Sequence, residues 1–143
     1  MAYTASFPSP SNHRATALMR PFDGLSILLL EDEYLIALDA EDILTSLGVK
    51  QIRIVNTLAG ASEAAESGEV DLAILDLNIN GEMSLDVAQQ FRKHGTPIVF
   101  ASGYEVRDKI TSALEEGGVY LRKPYTSESL KQAVENALDG GRS

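Results

Sequence analysis

The stretch Leu72-Ala-Ile-Leu-Asp76 consists of four apolar residues followed by a single carboxylate. A short apolar run of this kind is typical of a strand that is buried on both faces of a parallel sheet. A second run, Ser26–Leu30, has a similar character and leads directly into three acids, Glu31, Asp32 and Glu33. The sequence therefore predicts two buried strands whose carboxyl ends carry acidic side chains.

Around these two strands, short apolar runs keep alternating with amphipathic segments along the chain. The predicted strands are Ser26–Leu30, Gln51–Val55, Leu72–Asp76, Ile98–Ser102 and Val119–Arg122. The predicted helices cover residues 34–47, 58–66, 84–93 and 105–116, and a last helix opens at Thr126. This order predicts the α/β class, as a flavodoxin-like doubly wound (βα)5 three-layer sandwich. With right-handed crossovers, the expected order of the parallel sheet is 2-1-3-4-5.

The composition restricts the partners and the compartment of the protein. The chain has 143 residues, a net charge of −9 and no cysteine. So acidic a chain is a poor partner for nucleic acid, and the lack of cysteine excludes disulfides and thiolate sites. No apolar run approaches the ~20 residues that cross a bilayer, and no signal peptide is evident, which favours a cytoplasmic location. Residues 1–22, rich in Ser, Pro, Thr and Ala, are interpreted as a flexible N-terminal tail that precedes a folded domain over residues 23–143.

Polar residues stand at the carboxyl ends of the predicted strands. Glu31 and Asp32 follow the first strand, Asp76 ends the third, Ser102 ends the fourth, and Lys123 follows the fifth. In the predicted fold these ends converge on one crevice. Neighbouring carboxylates repel one another and favour a cation, and an all-oxygen site of this kind suits Mg²⁺. A hydroxyl and an ammonium facing the acids suit phosphoryl oxygens, so the set indicates metal-assisted phosphoryl chemistry on a carboxylate.

Each of these residues, taken alone, also has a simpler explanation. The acids after the first strand could cap the first helix, and Asp76 could form a turn. Ser102 could be a helix N-cap, and Lys123 could be an ordinary surface lysine. Their shared position at the carboxyl ends of one predicted sheet favours the functional interpretation.

Four stretches of the chain together resemble the receiver domains of two-component response regulators, the CheY-like family. They are Ile27-Leu-Leu-Leu-Glu-Asp-Glu33, Leu72-Ala-Ile-Leu-Asp-Leu-Asn78, Pro97-Ile-Val-Phe-Ala-Ser-Gly-Tyr104 and Tyr120-Leu-Arg-Lys-Pro-Tyr125. The resemblance covers about residues 25–139 and lies in the order and spacing of stretches that are individually weak. It implies that residues 23–143 form a receiver domain, which is a signalling domain and not an enzyme.

The resemblance also implies roles for the residues of the predicted crevice. Asp76 would be the phospho-acceptor, which forms an aspartyl phosphate. Mg²⁺ would be bound by Glu31, Asp32, Asp76 and the backbone carbonyl of Asn78. The first of these acids often reaches the metal through water in the family.

Three residues near the last strand are implied to respond to the phosphoryl group. Ser102 and Lys123 would contact its oxygens, and Pro124 would follow a cis peptide bond. Tyr120 matches the aromatic switch position, so Ser102 and Tyr120 would together change the surface around the predicted helix 105–116. Alternatively, Tyr120 could be a half-buried aromatic residue with its hydroxyl in water.

The chain departs from the family pattern near the acceptor. Many receivers carry a proline shortly after that aspartate, whereas this loop reads Asn80-Gly81-Glu82, which puts its rigidity in doubt. Ser102 stands where the family usually has threonine. The stretch Phe100-Ala-Ser-Gly-Tyr104 resembles that of a receiver subset linked to HWE-type histidine kinases.

The partners follow from the same resemblance. A histidine kinase or histidine phosphotransfer protein would be the donor, and a downstream protein would be the target, with no nucleic acid and no membrane. The chain ends at Ser143, so a stand-alone receiver is expected, as a monomer or weak dimer. A phosphate sink and a phosphorylation-independent binding module are the alternatives. A haloacid-dehalogenase-type phosphatase is disfavoured, because Asn78 stands where that enzyme needs a second aspartate as general acid.

Overall fold

A computed structural model describes residues 22–103 and 117–140 of the chain. The described strands are β1 (Ser26–Leu30), β2 (Gln51–Val55), β3 (Leu72–Asp76), β4 (Asn78–Ile79), β5 (Glu82–Met83), β6 (Ile98–Ser102) and β7 (Val119–Arg122). The described helices are α1 (Tyr34–Ser46), α2 (Leu58–Ser67), α3 (Leu85–Lys93) and α4 (Ser127–Leu138). The predicted helix 105–116 and residues 1–21 of the predicted tail lie outside the described residues.

Five parallel strands form the main sheet, in the order β2-β1-β3-β6-β7. The two short strands β4 and β5 pair with each other in a separate antiparallel ladder. With that ladder set aside, the order is the predicted 2-1-3-4-5, and the flavodoxin-like fold is confirmed. The chain reverses its direction of winding at β1, so the carboxyl ends of β1 and β3 lie next to each other.

Two apolar clusters hold the three layers together, one on each face of the sheet. The first joins the sheet to α1 and α4, and it includes Ile27, Leu29, Leu44, Ile74 and Val134. The second joins the sheet to α2 and α3, and it includes Leu28, Leu30, Leu75, Phe91 and Phe100. Successive side chains of a strand point to opposite faces, so β1 and β3 contribute side chains to both clusters. That double burial explains why these strands are apolar at almost every position.

Both ends of α2 and the start of α4 follow local signals. Thr57 caps α2 by accepting the Gly60 N–H, and Gly68 ends that helix with a φ of 71°. Thr126 and Ser129 form a reciprocal capping box at the start of α4. Within the described ranges, none of the helices has both the length and the apolar character that a bilayer crossing needs.

Phe22 belongs to the folded part of the molecule, although the sequence interpretation made it the last residue of the tail. Its side chain is 2% exposed and packs in the first apolar cluster. Its backbone N–H donates to the Leu47 carbonyl at 3.0 Å. The ordered domain therefore includes at least one residue before the predicted boundary at residue 23.

We expect Phe22→Ala to lower the free energy of unfolding by about 3–5 kcal/mol, because truncating a buried phenylalanine leaves a cavity. Urea denaturation of both proteins measures the change. Leu35→Ala is the matched control, since Leu35 is 77% exposed and its truncation should stay within about 0.5 kcal/mol of the wild type. Equal stability of Phe22→Ala and the wild type would place Phe22 outside the core.

Candidate functional site

Three acids lie together at the carboxyl edge of the sheet. Glu31 and Asp32 follow β1, and Asp76 is the last residue of its neighbour β3. Each offers a carboxylate oxygen, and these oxygens all lie within 4.8 Å of one another. Glu31 is 3% exposed and Asp76 is 6% exposed. Two of the three carboxylates have therefore lost most of their contact with water, which makes their mutual repulsion stronger.

Lys123 reaches this cluster from the loop after β7. Its Nζ lies 3.0 Å from Oε1 of Glu31 and 3.0 Å from Oδ2 of Asp76. Oε1 of the exposed Glu33 lies farther away, at 3.9 Å. The Lys123–Pro124 peptide bond is cis, as the sequence analysis expected for Pro124. One ammonium group thus bridges two buried carboxylates from neighbouring strands.

The pKa values of these groups are shifted by burial and by one another. Burial raises the pKa of the Asp76 carboxyl above its ordinary value, although Lys123 and the Asn78 N–H act in the opposite direction. Burial also raises the pKa of the Glu31 carboxyl, against the Glu33 N–H and Lys123. For Lys123, burial favours the neutral amine, but bonds to Asp76 and Glu31 outweigh it and raise the pKa. The cluster therefore binds protons more tightly than isolated carboxyls would.

Ser102 and Tyr120 lie on the two strands beyond Asp76. Asp76 pairs with Ala101 in the ladder between β3 and β6, so Ser102 is the next residue along β6. Its side chain is buried, and Oγ donates to the Gly103 carbonyl at 3.1 Å. The Tyr120 hydroxyl donates to the Ser102 carbonyl at 3.3 Å. The half-buried Tyr120 is thus joined to the strand end that carries Ser102.

The loop after Asp76 is a short β-hairpin with a two-residue turn, which the sequence analysis missed. β4 and β5 pair across a turn formed by Asn80 and Gly81, whose φ angles are 52° and 89°. Positive φ at both central residues is the pattern of a type I′ turn, for which Asn-Gly is a preferred sequence. The Asn80-Gly81 dipeptide directly follows the buried Ile79 and comes two residues before the half-buried Met83. It could have predicted this hairpin from the sequence.

The hairpin contacts two of the acids. The Asn78 N–H donates to Oδ1 of Asp76 at 3.2 Å, and the Asn80 N–H donates to Oδ2 of Asp32 at 3.1 Å. The Asn78 side chain points instead along the hairpin, where Oδ1 accepts the Gly81 N–H at 2.9 Å. The predicted ligand carbonyl of Asn78 therefore belongs to a residue whose N–H is bonded to Asp76.

Ser84 is a second residue of the site that the sequence analysis missed. It occupies the N-cap position of α3 but makes no side-chain cap. Its buried hydroxyl donates instead to the backbone carbonyl of Asp76 at 2.8 Å. The sequence offered no signal for this contact, because a serine before a helix predicts a cap.

The donor set fits a small, hard cation. Carboxylate oxygens are the ligands that Mg²⁺ prefers, and the three acids could together hold one ion. The arrangement can therefore support transfer of a phosphoryl group to a carboxylate beside a divalent cation and an ammonium group.

Comparison with known proteins gives a consistent family. The profile described as the response regulator receiver domain matches residues 27–135. The transcriptional regulatory protein PdtaR of Mycobacterium tuberculosis is 31% identical over 114 residues, which are 78% of this chain and 56% of that protein. The solution structure of SdrG from Sphingomonas melonis Fr1 is 37% identical, with a TM-score of 0.70 over 80% of this chain and 96% of that one.

A further solution structure is that of the BeF3-activated conformation of SdrG from Pseudomonas melonis Fr1. It is 36% identical, with a TM-score of 0.68 over 79% of this chain and 95% of that one. The chain spans about half the length of the curated relatives that it first matches.

We expect Asp76→Asn to raise the free energy of unfolding at pH 7 without divalent cations. A raised pKa in the folded state means that ionisation of Asp76 opposes folding, so the amide removes a destabilising charge. Denaturant unfolding in EDTA measures the difference. The difference in stability should shrink as the pH falls below the raised pKa of Asp76, because the Asp76 side chain of the wild type is then neutral as well.

The exposed Asp42 on α1 provides the control, and Asp42→Asn should stay within about 0.5 kcal/mol of the wild type. A less stable Asp76→Asn in EDTA would show that the bond to Lys123 outweighs the burial of the carboxylate.

Proposed function

The chain belongs to the response regulator receiver domain family of two-component systems, and on that premise we propose that it accepts a phosphoryl group on Asp76. The observation that carries this proposal is the environment of that carboxylate. Asp76 ends a fully buried strand, its Oδ2 lies 3.0 Å from an ammonium nitrogen, and it has a carboxylate oxygen within 4.8 Å of those of two other acids. Within the described residues, Glu31 and Asp32 are the acids that share this cluster with Asp76.

The proposed reaction is a displacement at phosphorus. An oxygen of the Asp76 carboxylate forms the new O–P bond, while the N–P bond of a phosphohistidine donor breaks. The imidazole leaves with the electron pair of that bond and takes a proton from solvent. A histidine kinase or a histidine phosphotransfer protein is the donor that this chemistry implies.

Mg²⁺ is the proposed cofactor of this step. Glu31, Asp32 and Asp76 would hold it, together with the backbone carbonyl of Asn78. When bound, the ion supplies positive charge that neutralises and orients the phosphoryl oxygens. This role agrees with the raised pKa values of Asp76 and Glu31, because buried carboxylates that are not fully neutralised favour an added cation.

Lys123 and Ser102 are proposed to hold the phosphoryl group after transfer. The ammonium of Lys123 already contacts Asp76 and would exchange a carboxylate oxygen for a phosphoryl oxygen. The hydroxyl of Ser102, which bonds the neighbouring carbonyl of Gly103, can rotate toward the new oxygens. Phosphorylation adds about −1.5 to −2 charge, so both contacts become stronger in the modified protein.

The proposed output is a change in protein contacts near Ser102 and Tyr120. Movement of the Ser102 backbone would strain or break the bond from the Tyr120 hydroxyl. The aromatic side chain would then take a new position between the site and the surface. A downstream protein that distinguishes the two positions is the expected target.

We expect the protein to gain the mass of one phosphoryl group when it is incubated with acetyl phosphate and Mg²⁺, and Asp76→Asn to gain none. Intact-protein mass spectrometry measures the change. The added group should be removed by hydroxylamine, because that reagent cleaves an acyl phosphate but leaves a serine phosphoester intact.

Asp71→Asn is the control for a general loss of acidity, since Asp71 lies at the opposite, amino end of the same strand and bonds the Ser26 N–H. It should be modified as the wild type is. A wild-type protein that stays unmodified with Mg²⁺, or an Asp76→Asn protein that is modified equally, would contradict the proposal.

For the switch, we expect Tyr120→Phe to be phosphorylated normally but to show a smaller conformational response to beryllofluoride. The substitution removes only the hydroxyl that bonds the Ser102 carbonyl. Amide chemical shifts of Ser102 and Gly103 with and without Mg²⁺ and beryllofluoride measure the response. An unchanged difference spectrum in Tyr120→Phe would make the hydroxyl irrelevant to switching.

A further inference from the structure

The segment from Asp76 to Ser84 forms a short β-hairpin beside the acidic cluster. Leu77 and Ser84 pair at its base, where the Ser84 N–H donates to the Leu77 carbonyl at 3.0 Å. The ladder of β4 and β5 extends this pairing to the turn at Asn80 and Gly81. Ile79 is 3% exposed and packs in the second apolar cluster, so the hairpin is anchored to the body of the domain along its length.

The two ends of this hairpin bond to acids that come from different strands. At the tip, the backbone N–H of Asn80 donates to Oδ2 of Asp32, which is 48 residues away in the chain. At the base, the Ser84 hydroxyl donates to the carbonyl of Asp76. The hairpin therefore links the carboxylate of Asp32, after β1, to the strand end that carries Asp76.

We propose that the Asn80–Gly81 turn is a positioning element for the metal site, which orients the Asp32 carboxylate through the Asn80 backbone N–H. The proposal rests on the proposed function, because it takes Asp32 as a ligand of Mg²⁺. A carboxylate has two oxygens, and a bond from an amide to one of them sets the direction in which the other points. Hydrogen bonds to ligating carboxylates commonly change metal affinity 10–100-fold when they are lost.

The geometry assigns this role to the backbone and not to the Asn80 side chain. Asparagine and glycine suit the turn because both adopt a positive φ at little cost. An alanine at Gly81, where φ is 89°, would oppose that conformation, although the added Cβ meets nothing within 4 Å. The substitution thus disturbs the turn through its backbone preference alone, without a steric clash.

A matched control exists elsewhere in the chain. Gly68 also has a positive φ, of 71°, and an added Cβ there also meets nothing within 4 Å. It follows α2, where it ends the helix, and it takes no part in the described contacts of the acidic cluster. Gly81→Ala and Gly68→Ala should therefore carry a similar backbone penalty, but only the first should affect the site.

The experiment is a Mg²⁺ titration of the full chain, followed by NMR amide shifts, for the wild type and three variants. We expect Gly81→Ala to weaken Mg²⁺ binding roughly 5-fold or more, since the left-handed conformation costs non-glycine residues about that factor. Gly68→Ala should bind as the wild type does. Asn80→Gly should also bind normally, because glycine keeps both the turn and the N–H. Thermal unfolding in EDTA reports separately on the stability of each variant.

The outcomes separate this proposal from the proposed function. A wild-type protein that binds no Mg²⁺ would contradict both proposals. Normal binding by the wild type and by Gly81→Ala would overturn the role of the hairpin and leave phosphorylation at Asp76 intact. Equal weakening in Gly68→Ala would reduce the effect to a general loss of stability. A weakened Asn80→Gly would transfer the role from the backbone to the side chain of Asn80.

Discussion

The organisation of this molecule depends on the burial of like charges at one edge of a sheet. The oxygens of Glu31, Asp32 and Asp76 lie within 4.8 Å of one another, while Lys123 supplies a bridging ammonium between Glu31 and Asp76. Carboxylates of equal charge repel one another, so they lie this close only where the fold holds them in place. Here β1 and β3 hold them, because the two strands are adjacent in the sheet and buried on both faces. The two apolar clusters therefore maintain an unfavourable arrangement of charge, which a bound cation would relieve.

Much of the fold could be predicted from the sequence because the relevant signals are local. Apolar runs such as Leu72–Asp76 specify buried strands by themselves, and their alternation with amphipathic segments leaves few topologies. The meeting of Asp76 and Lys123 followed from that topology, since parallel strands present their carboxyl ends at one edge. The observed strand order agrees with the prediction, and the observed contacts place both residues at this edge.

The structural features that the sequence analysis missed depend on contacts between distant residues, or on a sequence signal that was interpreted as another structure. Phe22 follows a Ser- and Pro-rich leader, and only its packing against the first cluster and its bond to Leu47 show that it is in the core. Ser84 precedes a helix and predicts a cap, but its hydroxyl finds a carbonyl eight residues earlier. At Asn80-Gly81 the missing family proline suggested a loose loop. The dipeptide instead forms a two-residue turn with two positive φ angles, so the segment pairs as a hairpin without that proline.

The hairpin after Asp76 also constrains how the chain can vary in length. Its turn has only two residues, and Ile79 beside it faces the interior. Because strand side chains alternate between faces, an insertion of one residue between Asp76 and Ile79 would turn Ile79 toward solvent and a polar neighbour inward. The interval from residue 76 to residue 79 therefore tolerates a change in length poorly, and an even number of added residues would preserve the inward direction of Ile79 better than an odd number.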